Sequence, residues 1–153
     1  MNRWLPYILL CLLVVGCSPP LPRVIVLNDP LDARQHNDLG VAYETTGDYD
    51  LALREYERAA KLEKTWDRPL INQGNVLAAQ QQWDQAVKSY RAALRRNPDN
   101  GEAMNNLAWV LLQKGDLDHA KSWAEQALSS SPDNADFQDT LTEIQTQQAQ
   151  IPR

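Results

Sequence analysis

The sequence predicts an all-α fold, a solenoid of three helix-turn-helix repeats closed by a C-terminal capping helix. Three observations predict it. The tetrapeptide NPDN at Asn97 to Asn100 returns as SPDN at Ser131 to Asn134, 34 residues later. Between such turn signals apolar residues recur at three and four, the spacing that gathers them on one face of a helix. Small residues keep the same beat, at Gly40, Gly74 and Ala108, at Ala52, Ala86 and Ala120, and at Ala59, Ala93 and Ala127.

Taken in order, MNRWLPYILLCLLVVGCSPP opens on one basic side chain, Arg3, before an apolar run from Trp4 to Val15. That run is 12 residues long and contains Pro6, whereas a membrane-spanning helix takes roughly 20 apolar residues. The plan is that of a signal peptide. Val14-Val15-Gly16-Cys17 resembles the lipobox of bacterial lipoproteins. The resemblance implies a signal peptide over 1–16 and an acylated Cys17 at the head of the mature chain. An ordinary secretory signal with an incidental cysteine, or an uncleaved short anchor, is the alternative. Cys11 lies inside the leader, so nothing after Cys17 can form a disulfide. Two or more acyl chains hold a protein stably on a membrane. Ser18, rather than Asp, after the cysteine further implies retention in the outer membrane, facing the periplasm, of a Gram-negative host. Residues 17–31 then form a tether. Ser18-Pro19-Pro20-Leu21-Pro22 favours extended polyproline II at ~3.1 Å per residue. Val24 to Leu27 is a lone apolar run expected to pack on the first helices or to meet a partner.

Three units follow, at about 33–66, 67–100 and 101–134. In the third, helices are expected over Glu102 to Gln113 and Leu117 to Ser129, split by Lys114-Gly115-Asp116. The small residue at 40, 74 and 108 lets the first helix of each pair approach the second, whose Ala52, Ala86 and Ala120 are expected to face it. Tyr43, Leu77 and Leu111 are large and apolar in step, as are Tyr56 and Tyr90. Pro98 and Pro132 end the second helices, with Pro30 as a counterpart and Lys64 in the remaining slot. The neighbouring Asp or Asn is available to cap the next helix. Phe137, Leu141 and Ile144 then fall at i, i+4 and i+7 in a polar stretch, a capping helix within 135–153 that covers the last repeat's apolar face.

This pattern resembles the tetratricopeptide repeat (TPR) family. The resemblance covers about Asp32 to Asn134 and implies a right-handed TPR solenoid. His36 stands where the family usually has Trp, Gln73 replaces a Leu, Lys64 a Pro and Ala124 an aromatic.

Composition narrows the function. The 153 residues are 43% apolar and 23% charged, ordinary for one soluble domain or a short repeat array. The net charge is −5, and loss of residues 1–16 removes only Arg3, which argues against a general nucleic-acid binder. His36 and His119 are the only histidines. The first is expected packed in the core and the second solvated at the start of a helix. HExxH, CxxC, GxSxG and glycine-rich phosphate motifs are absent. No catalytic residue, metal ligand, cofactor or small-molecule substrate is assigned, and an enzyme is not expected.

The informative surface is the concave side of the solenoid, lined by first-helix positions that the core does not need. In register these are Arg34, Asn37, Asp38 and Val41, then Arg68, Asn72 and Asn75, then Asn105, Asn106, Trp109 and Leu112. Asparagine donates and accepts at once, so a ladder of asparagines can hold an extended peptide backbone. Trp109 and Leu112 would add an apolar anchor. The alternative is solvated asparagines and a Trp109 packed between helices. As exposed groove residues, Asn72 and Asn106 are expected to leave stability nearly unchanged when truncated. TPR domains of cytosolic chaperone adaptors hold a C-terminal carboxylate with Lys and Asn in one repeat, Asn in the next, and Lys and Arg in the third. Asn37, Val41, Asn72, Glu102 and Asn106 occupy those places here, so only Asn72 matches and a two-carboxylate clamp is not implied.

Three functions fit. One is a membrane-anchored periplasmic scaffold that binds a protein or peptide partner, resembling small TPR lipoproteins of envelope machines and pilus assembly. Another is an accessory to a papain-like peptidase, since Val24 to Gly40 loosely resembles segments joining such a domain to a TPR tail in some bacterial lipoproteins. The third is self-association through the groove or the solenoid ends.

Overall fold

The structure, a computed structural model, describes residues 29–150. The leader over 1–16, Cys17, the proline tether and Val24 to Leu27 lie outside the described residues. The described residues form α1 (Ala33–Thr46), α2 (Tyr49–Leu62), α3 (Arg68–Ala79), α4 (Trp83–Arg96), α5 (Gly101–Gln113), α6 (Leu117–Ser130) and α7 (Ala135–Ala149). The first helices α1, α3, α5 and α7 approach one another in succession, whereas the backbones of α2, α4 and α6 stand apart. The array therefore curves with the first helices inside.

Side-chain chemistry sets the helix ends. The Asp32 carboxylate accepts the Gln35 N–H at 2.9 Å while Gln35 Oε1 accepts the Asp32 N–H at 2.9 Å, a capping box that opens α1. Asn100 and Asn134, the last residues of NPDN and SPDN, accept the N–H of Ala103 and Phe137 and open α5 and α7. The amides of Asn97 and Asn100 also donate to the Asp67 carboxylate at 3.0 and 2.7 Å, pinning the loop before α5 to the start of α3. Arg96 reaches back across the same junction. Its guanidinium donates to the carbonyls of Ala60, Glu63 and Trp66 at 2.9, 3.2 and 2.7 Å, satisfying acceptors that the end of α2 leaves free.

Each helix pair reverses through one residue of left-handed backbone, at Gly47 (φ 83°), Gln81 (φ 58°) and Gly115 (φ 77°). The next N–H bonds back to the carbonyl of Tyr43, Leu77 or Leu111, at 2.9, 2.8 and 2.9 Å respectively. Glycine adopts this backbone without a Cβ clash. Gln81 adopts it with one.

The packing inside each pair adds one contact. The nearest neighbours of Gly40 and Gly74 across the pair are the tyrosine rings of the second helix. A Cβ on Gly40 would lie 2.6 Å from Cε1 of Tyr56, and one on Gly74 would lie 2.5 Å from Cε1 of Tyr90. The third repeat has Ala108 and Ala124 at the equivalent positions, both buried. Ala124 departs from the family's aromatic, and Ala108 departs from glycine in step with it. The tyrosine hydroxyls are also placed: Tyr56 donates to Glu44 at 2.5 Å and Tyr90 to Asn75 at 2.8 Å. Burial first, then nearby glutamate charge, pushes both phenols well above their usual value.

His36 is 1% exposed, and its Nδ1 lies 2.6 Å from Glu55, which Arg58 also contacts at 2.9 Å. A buried polar network thus fills the place of the family's tryptophan. His119 is exposed, and its hydrogen bond to Asp116 at 2.8 Å holds that carboxyl below the usual range. The apolar core is divided. The larger part runs through repeats two and three and takes in Phe137, Leu141 and Ile144 of α7, while a small separate part joins Ala52, Tyr56 and Val76.

Gly74→Ala is expected to destabilise by about 1 to 3 kcal/mol, because the added methyl runs into the Tyr90 ring. Helix propensity alone would favour alanine by up to about 1 kcal/mol. In a Tyr90→Ala background the same change is expected to be neutral or stabilising, mimicking Ala108 with Ala124. Urea denaturation of the four variants measures the coupling, and simple additivity would refute the contact. Gln81→Gly is expected to stabilise by about 0.5 to 1 kcal/mol through relief of the left-handed backbone. The readout is a higher Tm, and a lower one would count against strain at this turn.

Candidate functional site: the concave groove

The concave wall is tied together by its own polar side chains. Asn72 Nδ2 donates to Asn37 Oδ1 at 2.9 Å, linking α3 to α1. Asn106 Nδ2 donates to Asn75 Oδ1 at 3.0 Å, linking α5 to α3, and the same oxygen accepts the Tyr90 hydroxyl. Arg68 Nη1 reaches both carboxylate oxygens of Glu102 at 2.7 and 2.9 Å. The asparagine ladder exists, but its rungs are bonds between successive helices. Truncating Asn72 or Asn106 therefore removes an inter-repeat bond with a net contribution of about 0.5 to 1.5 kcal/mol, which corrects the expectation of unchanged stability.

Asn75, Asn105, Asn106 and Trp109 come together, with Ala78, Ala79, Tyr90 and Thr140, around a cleft of about 490 Å³ between α3, α5 and α7. Asn105 is 9% exposed, and its Oδ1 has no hydrogen-bond partner. Leaving a buried amide oxygen unpaired costs about 1 to 3 kcal/mol, and this oxygen lies beneath the cleft wall. Trp109 is 37% exposed and rests edge-on against Trp83, with ring centroids 5.8 Å apart and planes at 73°. Its indole is braced from behind and open in front.

The other groove candidates divide. Leu112 is 3% exposed and belongs to the core, so of the expected pair only Trp109 is an exposed apolar group. Leu112 shows only an edge to a second cleft of about 570 Å³ between α5 and α7, lined also by Asp139 and Glu143. Asn72 turns toward α1 and Arg68 pairs with Glu102 on α5, and both lie outside the Trp109 cleft. On α1, Asn37 is buried, Asp38 and Val41 are exposed, and Arg34 lies over the Trp66 ring at 5.8 Å. Among the described residues no group of three His, Cys, Asp or Glu is placed to hold a metal ion.

Sequence reasoning missed the part of the wall made by α7. The signal was present. Carrying the 34-residue register onward sets Asp139 level with Asn105, Thr140 with Asn106 and Glu143 with Trp109. The capping helix is thus also a fourth first helix.

Two sequence models of the tetratricopeptide repeat family match this chain, over residues 33–66 and 71–135. The chain belongs to that family, one of protein-interaction scaffolds. Among curated proteins, Hsp70-Hsp90 organizing protein 1 of Glycine max is 24% identical over 75 residues, which span 49% of this chain and 13% of that protein. Among solved structures, the first TPR of Spaghetti (RPAP3) bound to the HSP90 peptide SRMEEVD superimposes with a TM-score of 0.74 at 19% identity, covering 81% of this chain and 98% of that one. The second TPR domain of human RPAP3, in complex with the HSP70 peptide SGPTIEEVD, gives 0.70 at 21% identity over 74% and 94%. The TPR domain of Arabidopsis OM64 gives 0.70 at 16% identity, also over 74% and 94%. At these identities the likeness establishes the fold.

Two substitutions separate strut from site. Asn75→Ala strands the Tyr90 hydroxyl and the Asn106 amide together and is expected to lose about 1 to 3 kcal/mol. Asn105→Ala removes an amide that has no partner to lose, and is expected to be neutral or stabilising by up to about 1 kcal/mol. Chemical denaturation compares them. A large loss at Asn105 would show that its amide is already satisfied.

Proposed function

We infer that this protein is a non-catalytic, membrane-tethered adaptor that holds an extended segment of a partner protein in the concavity of α1, α3, α5 and α7. One observation carries the reading: a buried amide without a partner sits beside an exposed, braced indole in the same cleft. The half-buried amides of Asn75 and Asn106 give an extended chain polar partners, and the indole gives one of its side chains a flat apolar contact. Two of the structures sharing this fold hold peptides. In this chain Glu102 faces Arg68 where chaperone adaptors carry a lysine, so an acidic C-terminal tail is not the proposed ligand.

The tether belongs to the same proposal. Acylation at Cys17 anchors the chain in a bacterial envelope, facing the periplasm if the host is Gram-negative, and the Pro-rich stretch over 17–31 holds the groove clear of the bilayer. A scaffold so placed suits the assembly of an envelope machine such as a pilus.

Photo-crosslinking tests both halves. With a photoreactive residue at Ala79, on the cleft, a discrete adduct is expected; at Arg91, exposed on α4, none is expected. Cys17→Ala is expected to remove acyl labelling and move the protein out of the membrane fraction. Equal adducts from both positions would refute the groove, and acyl labelling that persists in Cys17→Ala would refute the anchor.

A further inference from the structure

The apolar stripe of α7, made by Phe137, Leu141 and Ile144, stands in 34-residue register with Ala103, Leu107 and Val110 of α5. All six are buried, because α5 and α7 each pack on the second helix of the repeat before. Val76 holds the corresponding place on α3 and is 0% exposed against Ala52 and Tyr56 of α2. On α1 the stripe continues as Gln35, Leu39 and Ala42, and no second helix precedes it among the described residues. Gln35 and Ala42 are exposed there, and Leu39 is only half-buried. Of the four large apolar side chains exposed among the described residues, Val41, Leu51 and Leu62 belong to this first repeat, so apolar cover is short at this end of the array.

Within reach of that stripe is the chain's own apolar run, Val24 to Leu27. Asp29 is fixed beside the head of α1. Its Oδ1 accepts the Leu31 N–H at 3.2 Å, and its Oδ2 lies 3.4 Å from Nε2 of His36 and 3.7 Å from Nη1 of Arg58. Only Asn28 separates this fixed point from Leu27. Val24, Ile25 and Val26 are β-branched, which favours the extended form. Four extended residues span roughly 13 Å. The rise along α1 from Gln35 to Ala42 is about 10 Å, so run and stripe agree in length. We propose that Val24 to Leu27 lies antiparallel to α1 over Leu39 and Ala42, in the place that a preceding second helix takes on α3, α5 and α7. The run and the stripe bury apolar surface on each other, and the first repeat gains the cover that the end of an array needs. Docking shortens the free tether to residues 18–23, roughly 19 Å of polyproline II. The first repeat then faces the bilayer, a consequence that rests on the anchored reading, whereas the docking does not.

Thermal unfolding of the full chain in detergent tests the docking as a double-mutant cycle. Ala42→Glu sets a charge on the stripe, and Ile25→Ser with Leu27→Ser removes apolar groups from the run. Each change is expected to lower Tm by a few degrees, and the two together to cost little more than either alone. Hydrogen exchange of the α1 amides is expected to quicken roughly 10-fold in both variants, while that of α5 is unchanged. If Ala42→Glu leaves Tm where it was, or if the two losses simply add, the docking is overturned. Ile25→Cys with Ala42→Cys identifies what covers the stripe. Oxidation is expected to join the two within one chain, as mapped by mass spectrometry, whereas a disulfide-linked dimer would overturn the proposal in favour of a second copy. None of these readouts depends on acylation, so loss of the anchored reading through the Cys17→Ala labelling would leave the docking standing.

Discussion

The contact between a glycine of one helix and a tyrosine ring of the next sets the spacing of the first two helix pairs, and the wall they share depends on it. At Gly40 and Gly74 the absent Cβ leaves room that the rings of Tyr56 and Tyr90 occupy completely. A helix pair built this way is closer than side chains would otherwise permit, and its geometry is fixed by one rigid aromatic plane. The ring also carries a hydroxyl through the core to the concave side. For Tyr90 it ends on Asn75, whose oxygen holds Asn106 as well. Core packing and groove geometry therefore meet at a single amide.

The groove asparagines show how one residue type can serve two roles in one wall. Asn72 and Asn106 spend their amide donors on the preceding first helix, and in doing so fix the distance between repeats. Asn105, one position away from Asn106 on the same helix, turns toward α7 and finds no partner. A stable scaffold could have placed a leucine there, since replacing an unpaired buried amide with an apolar group generally stabilises. Retaining the amide therefore lowers the stability of the fold at this seam.

How much of this was legible in the sequence differs with the kind of signal. Helix pairs and their closing turns followed from the 34-residue beat, because caps, prolines and apolar spacing are local. The tyrosine behind each glycine was visible only as a second periodic column. Which column lies nearest the glycine depends on helix rotation. Gln81 gave no warning, since a left-handed residue is announced in sequence by glycine and this turn lacks one. Leu112 was misplaced for a similar reason: α5 is buried on more than one side, against α4, α6 and α7, so a position one turn past Trp109 falls back into the core. The wall made by α7 went unseen because a capping helix was sought only for its apolar face.

The division of the apolar core has a mechanical consequence. Repeats two and three and α7 share one continuous interior, whereas the first repeat relies on Ala52, Tyr56 and Val76 and on the polar network around His36. In a linear array, opening propagates from the end with the weakest interface. Force applied through the N-terminus falls on that end first. The α1–α2 hairpin would yield first, once the bonds that Arg96 makes to the end of α2 give way, while the continuous core keeps α3, α5 and α7 assembled. Extension would thus be taken up by the first repeat before it reached the concave wall of the repeats beyond.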